Sequence, residues 1–162
     1  MTKQEFLAMS LPYGLKFKTK TDGNIEQLSG VDIYNVANWT NPQYPNGTIC
    51  LYSSIDYSSM WSTDEAELIL HPLSDLTKEI EHKGEKFVPS YKLGVDRGFE
   101  FYKPSNFDLE INFETPKYST QIDLFTGFLI VQKLIEWHFD IADLISKGEA
   151  IDVNTLDINP YK

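Results

Sequence analysis

The sequence predicts an α+β fold, with a curved antiparallel sheet or small open barrel packed against one long C-terminal helix. Three observations predict it. Residues 15–20 (LKFKTK) alternate apolar and basic side chains, the pattern of a half-buried strand. Further short apolar or alternating runs, separated by Pro, Gly, Asn and Asp, fill residues 11–118. Residues 120–147 (TQIDLFTGFLIVQKLIEWHFDIADLISK) carry the longest helical period in the chain. The whole chain of 162 residues is one domain of ordinary size. It is β-rich over 11–118, helical over about 120–147, and has a tail over 148–162.

In chain order, residues 2–9 (TKQEFLAM) form a short helix. Thr2 is its cap, Glu5 stands at the capping-box position, and Phe6, Leu7 and Met9 turn inward. Leu11-Pro12-Tyr13-Gly14 is a turn. The strand over 15–20 sets Leu15, Phe17 and Thr19 against Lys16, Lys18 and Lys20. Asp22-Gly23 is a two-residue hairpin signal leading to a returning strand over 25–28. Residues 31–36 and 48–52 read as strands, and 37–47 as a loop with two prolines and Asn-Gly. Residues 53–66 read as a loop, or as a short helix from Ser62 or Thr63. Residues 67–71 (ELILH) are a strand ended by Pro72, and 74–79 a turn and short helix capped by Ser74 or Thr77. Lys83-Gly84 is a turn, Phe87-Val88 a brief strand. Residues 99–102 and 109–113 alternate as two further strands, and 150–153 form an edge strand or a turn.

On the wheel of the 120–147 helix, Thr126, Lys133, Glu136, Asp140, Asp143 and Lys147 share one face. Leu124, Val131, Leu134, Ile135, Ile141, Ala142 and Ile145 fall opposite. His138 points to the core, Asp140 to solvent, and Trp137 to the boundary. Ser119 or Thr120 caps the start and Gly148 the end. The early part (Phe125, Phe128, Leu129, Ile130) is apolar nearly all round and needs cover from other elements or a partner.

Composition narrows the function. The net charge is −10 and Arg97 is the only arginine, which argues against gripping a nucleic-acid backbone. A hydrophobic content of 41% argues against disorder. The single cysteine, Cys50, excludes an intrachain disulfide and reads as a buried, inert thiol. No signal peptide is expected at the start, and the longest wholly apolar run, FLIV at 128–131, is too short to span a membrane.

Phosphate-loop, dinucleotide-binding and nucleophile-elbow motifs do not occur. His71, His82, His138 and Cys50 lack metal-ligand spacing, so neither metal nor cofactor is expected. His138 and Asp140 stand two apart and form no local dyad on a helix. His138 is the weak candidate for catalysis, and a core imidazole is the simpler reading. Tyr13, Trp39, Tyr44, Tyr57 and Trp61 fall in predicted turns and loops, where aromatics can stack on a ligand or anchor an interface. Lys16 and Lys18 supply positive charge on one strand face, and Arg97 suits a carboxylate or phosphate. The alternative is that these aromatics cover the ends of the sheet.

Four strings in this order, LPYGLKFK (11–18), LILHPLSDLTKEI (68–80), GEKFVP (84–89) and IEWHFDIADLISKGEAIDVNTL (135–156), carry a resemblance. The chain resembles an uncharacterised family of small proteins from phages, prophages and mobile elements of Bacteroides-type gut bacteria. The match covers about half the chain, and the His-Phe-Asp block is its most specific part. The family carries Arg before the proline where this chain has His71, and residues 91–119 read as a longer insertion. The resemblance implies the bacterial cytoplasm and a mobile-element setting, and no activity. The resulting expectation is a non-enzymatic accessory protein that binds a host protein, with counter-defence as one role. The alternative is capture of a small nucleotide or other anionic signalling molecule. A hydrolase using His138 ranks last. A homo-oligomer is compatible with all three.

Overall fold

Helix α1 (Lys3–Ser10) begins at a reciprocal cap. The Thr2 hydroxyl accepts the Glu5 N–H at 3.2 Å, and the Glu5 carboxylate accepts the Thr2 N–H at 2.7 Å. The pair satisfies two of the donors that every helix start leaves open. Phe6 and Leu7 enter the core, whereas Met9 stays exposed. The computed structural model describes residues 1–33, 49–53, 59–97, 114–115, 118–119 and 124–162.

A 3₁₀ turn (Leu11–Tyr13) ends on Gly14 at φ +75°, the left-handed geometry glycine takes without strain. Strand β1 (Lys16–Thr19) buries Phe17 and Thr19 and leaves Lys16 and Lys18 half-buried on the other face, as its alternation predicts. The return to β2 (Ile25–Gln27) runs over residues 20–24, longer than Asp22-Gly23 alone, with Asp22 accepting the Asn24 N–H at 3.2 Å. Strands β3 (Gly30–Ile33), β4 (Ile49–Tyr52) and β5 (Met60–Ser62) form an antiparallel sheet in that order. The β5 strand replaces the loop or helix expected there. Burial of Cys50 in β4 pushes its thiol pKa up, in line with an inert role.

Strand β6 (Ala66–Leu70) lies second in a four-stranded sheet, followed by a 3₁₀ turn (Leu73–Thr77). Neither Ser74 nor Thr77 caps that turn; Pro72 precedes it in extended geometry. Strands β7 (Ile80–His82) and β8 (Glu85–Phe87) make a hairpin across Lys83-Gly84, both at positive φ, the geometry of a tight hairpin turn. Helix α2 (Pro89–Arg97) follows, in a stretch where the sequence suggested only an insertion. Strands β9 (Glu114–Thr115) and β10 (Tyr118–Ser119) pair with each other. The strands expected over 99–102 and 109–113 lie outside the described residues, as does the loop over 37–47.

Helix α3 (Leu124–Glu136) is far shorter than the 120–147 helix expected. Its end is a complete left-handed cap. The Phe139 N–H donates to the Leu134 carbonyl at 2.8 Å and the His138 N–H to the Ile135 carbonyl at 2.9 Å, with His138 at φ +60°. That is the bond pair of a Schellman ending, in which Phe139 also packs near Leu134. Glycine usually fills such a position. His138 fills it here, so the stop is invisible to a pattern search. The chain then makes turns through residue 149. Asp140, placed in solvent by the helical wheel, is 6% exposed, and its carboxylate accepts the N–H groups of Leu144 and Ile145, each at 2.8 Å. Trp137, expected at the boundary, is 3% exposed. Val131, expected inside, is exposed beside Phe128. The chain finishes with β11 (Ala150–Asp152) and a 3₁₀ turn (Val153–Thr155).

The large sheet runs β11-β6-β1-β2. Pairing of β11 with β6 is parallel, so this sheet is mixed, while the other strand pairs are antiparallel. No closed barrel forms among the described strands. Both faces of β6 are covered, one by the main core and the other by Val153 and Tyr161, which explains its nearly unbroken apolar run. Leu68 and Leu70 join Phe6, Phe17, Leu51 and Ile135 in the main core. Ile69 faces the other way, onto Val153 and Tyr161. A further cluster joins α2, α3 and the hairpin through Ile80, Leu93, Leu134 and Trp137.

A histidine cluster and a polar cleft

All three histidines of the chain converge beside Tyr161. His71 directly follows β6, where it bridges to Phe139, His82 ends β7, and His138 caps α3. The His138 and Tyr161 rings lie 4.3 Å apart in a stacked arrangement, His82 and His138 are 5.2 Å apart, and His71 is 6.1 Å from Tyr161. Tyr161 is pinned by its hydroxyl, which donates to the Ile69 carbonyl at 2.7 Å and accepts the Lys16 N–H at 3.1 Å. Its carbonyl accepts the Lys83 N–H at 2.7 Å. One residue thus ties β1 and β6 through its hydroxyl and the β7–β8 turn through its carbonyl. Burial pushes its phenol pKa up.

The histidine rings are buried, and none of their six nitrogens has a hydrogen-bond partner. A neutral imidazole tolerates that environment better than a charged one. Burial holds His138 well below its ordinary pKa, and His82 falls to about 4, from burial and then Lys83. His71 is also lowered by burial, against the opposing charge of Asp75. Among the described residues no group of three or more His, Cys, Asp or Glu has the geometry to hold a metal ion.

His71 differs from the other two because it opens onto a cleft of about 380 Å³. Asp75, one 3₁₀ turn beyond Pro72, places a carboxylate oxygen 3.8 Å from the His71 Nδ1. The same carboxylate accepts from the Lys78 Nζ and the Asn154 Nδ2, each at 2.6 Å. Burial alone would raise the Asp75 pKa; these two donors outweigh it, so the group stays ionised below its ordinary value. One wall comes from the segment around β7 and β8, with Glu79, Glu81 and Lys86; the other comes from the tail, with Asn154, Asp157 and Lys162. Asn154 bridges the walls through Asp75, and Lys162 approaches Glu81 at 3.8 Å. A floor imidazole, three ammonium groups, amides and carboxylates can recognise a small polar molecule that carries charge.

Those of the candidate site residues singled out from the sequence that are described do not line this cleft. Tyr13 is half-buried against the main core, and its hydroxyl accepts from the Gln132 Nε2 at 3.1 Å. Lys16 and Lys18 lie on the outer face of β1. Trp61 sits on β5 rather than in a loop, edge-to-face on Phe17 at 5.4 Å. Trp39, Tyr44 and Tyr57 lie outside the described residues. Arg97 is the last residue of α2, and its guanidinium lies outside the described part. His138 belongs to the buried cluster and does not line the cleft. His71, Asp75 and the tail escaped the sequence reading because 67 residues separate His71 from His138, and nothing local marks Tyr161 or Asn154 as their neighbour. Among the described residues no helix is long and apolar enough to cross a membrane. Comparison with protein-family models, curated proteins and solved structures finds no match, so the chemistry of this cleft stands on its own geometry.

Proposed function

We propose that the protein is a non-enzymatic binding protein that takes a small anionic ligand of nucleotide size in the His71–Asp75 cleft. The observation that carries this reading is a buried imidazole without hydrogen-bond partners at the floor of a charged cavity of about 380 Å³. Small-molecule sites commonly measure about 300–1,000 Å³ and hold a few convergent polar groups. Lys86 and Lys162 suit an acidic group, while Asn154, Glu79 and Asp157 suit hydroxyl or amino groups, and a nucleotide carries both kinds. The phage and mobile-element resemblance supplies a setting, capture of a host signalling molecule in the bacterial cytoplasm.

A thermal-shift screen with mononucleotides and cyclic nucleotides tests it. A ligand at 100 times its Kd adds about 2.7 kcal/mol to stability, a readily visible rise in Tm. Lys86→Ala should weaken that rise without lowering the Tm of the free protein. If no nucleotide moves the Tm or the amide signals of residues 71–86 and 153–162, the cleft is not such a site.

A second reading, capture of a host protein, is favoured by one observation. Phe128 and Val131 lie one turn apart on α3, both exposed, and Phe128 is 59% exposed. Contiguous apolar surface often marks an interface, and a charge of −10 suits a basic partner. Phe128→Asp should abolish pull-down of that partner and leave nucleotide shifts intact.

A further inference from the structure

We infer that an anion entering the cleft brings one proton with it, and that His71 takes the proton. The inference rests on the anion-binding reading above. It follows from counting the charges that face His71. The 3₁₀ turn contributes Asp75 at 3.8 Å, with Lys78 held on that carboxylate. Strand β11 contributes Asp152, whose charge reaches the ring. Strand β7 and the cap of α3 contribute His82 and His138, neutral and buried. Phe139, with ring centres 5.4 Å apart, and Tyr161 supply uncharged rings.

Farther up the walls, Glu79, Glu81 and Asp157 stand against Lys86 and Lys162, and Lys162 is already near Glu81. An incoming anion adds negative charge to a lining that is not positive to begin with. The lysines already carry their protons. Protonating a carboxylate near neutrality requires a shift of about three units from its ordinary value. Among the described lining residues, His71 is the one that can gain a positive charge at small cost, because an imidazole ordinarily titrates at about 6.5. Burial keeps it neutral in the free protein. An anion beside it reverses that balance, since an opposite charge favours the protonated form. The proton comes from solvent and forms an N–H bond on the imidazole; no other bond changes.

Sulfate and cyclic AMP are suitable probes, because neither titrates near neutrality, whereas a phosphate monoester does so at about pH 6. Calorimetric titration at pH 7, in buffers of different ionisation enthalpy, reads proton uptake directly. The expected result is uptake approaching one proton per bound anion, with affinity falling about tenfold per pH unit as pH rises from about 6 to 8. Ring nitrogen NMR shifts of His71 should move from neutral to imidazolium on binding, a readout that needs no variant. His71→Asn should bind with no uptake and a flat pH profile. Binding without uptake overturns this inference and leaves the binding reading intact. Failure of both probes to shift the cleft residues, even at millimolar concentration, overturns the reading beneath it as well.

Discussion

The two faces of strand β6 solve the same burial problem in different ways. On one face Leu68 and Leu70 join an apolar cluster with Phe6, Phe17, Leu51 and Ile135. On the other, Ile69 meets Val153 and Tyr161, and three imidazoles gather around the Tyr161 ring. The first face needs nothing but shape. The second seals a polar, titratable neighbourhood with one phenol hydroxyl and leaves ring nitrogens unpaired. The first face gains from burial alone, and the second carries the cost of ring nitrogens without partners. Buried polar groups without partners carry a standing cost that a protein keeps where the group has another use.

The contrast breaks most severely at Leu68. Leu68→Ala should cost about 2–5 kcal/mol by urea denaturation, with the same cost at pH 7 and pH 5, because no titrating group is involved. Acid should then separate the two faces. His71, His82 and His138 are all held below the ordinary histidine value, so the unfolded chain binds protons that the folded chain refuses. Stability is therefore full above about pH 6.5 and falls as pH drops toward 4, the value to which His82 is pushed. Asp75, held low by Lys78 and Asn154, adds its loss only below about pH 3.8. Denaturation midpoints that stay level between pH 6.5 and 4 would show that the imidazoles are not kept neutral.

Tyr161→Phe keeps the ring and deletes the hydroxyl, leaving the Ile69 carbonyl and the Lys16 N–H without that partner. A loss of about 1–3 kcal/mol is expected, read as a drop in Tm at neutral pH. The smallest effect belongs to His138→Gly. Glycine removes the left-handed strain, worth about 1 kcal/mol, while the ring contact with Tyr161 is lost, so the net change at pH 7 should stay within about 1 kcal/mol. The acid limb should become shallower in the same variant, and an unchanged limb would exclude His138 from the titrating set.

Local chemistry was legible where it repeats locally. The Thr2–Glu5 cap, the Lys-Phe-Lys-Thr alternation and the ELIL run each specify their own geometry within a few residues. The end of α3 was not legible, because its stop is made by His138 at a position where glycine would have announced it. The polar period continued past Glu136 in sequence only: the backbone over 141–148 is a run of turns, left-handed at Asp143 (φ +59°) and at Gly148 (φ +71°). Asp140 then looked like a solvent-facing helix residue, although it caps the next turn. Helix α2 hid behind Pro89 and Gly94, residues that ordinarily break such patterns. The site was the least legible part. His71, Asp75, Asn154 and Tyr161 come together through strand pairing, which no short spacing encodes.

That pairing also sets an order of events in folding. Ala150 meets Leu68 across more than half of the chain, whereas β7 and β8 meet across a two-residue turn. Closing so long a loop is slow compared with forming a hairpin, so the β6–β11 contact belongs to the late part of folding. One wall of the cleft arrives with β11. A ligand for the cleft would then find its site only on molecules that have completed this last closure, slowing their unfolding while leaving the rate of folding unchanged.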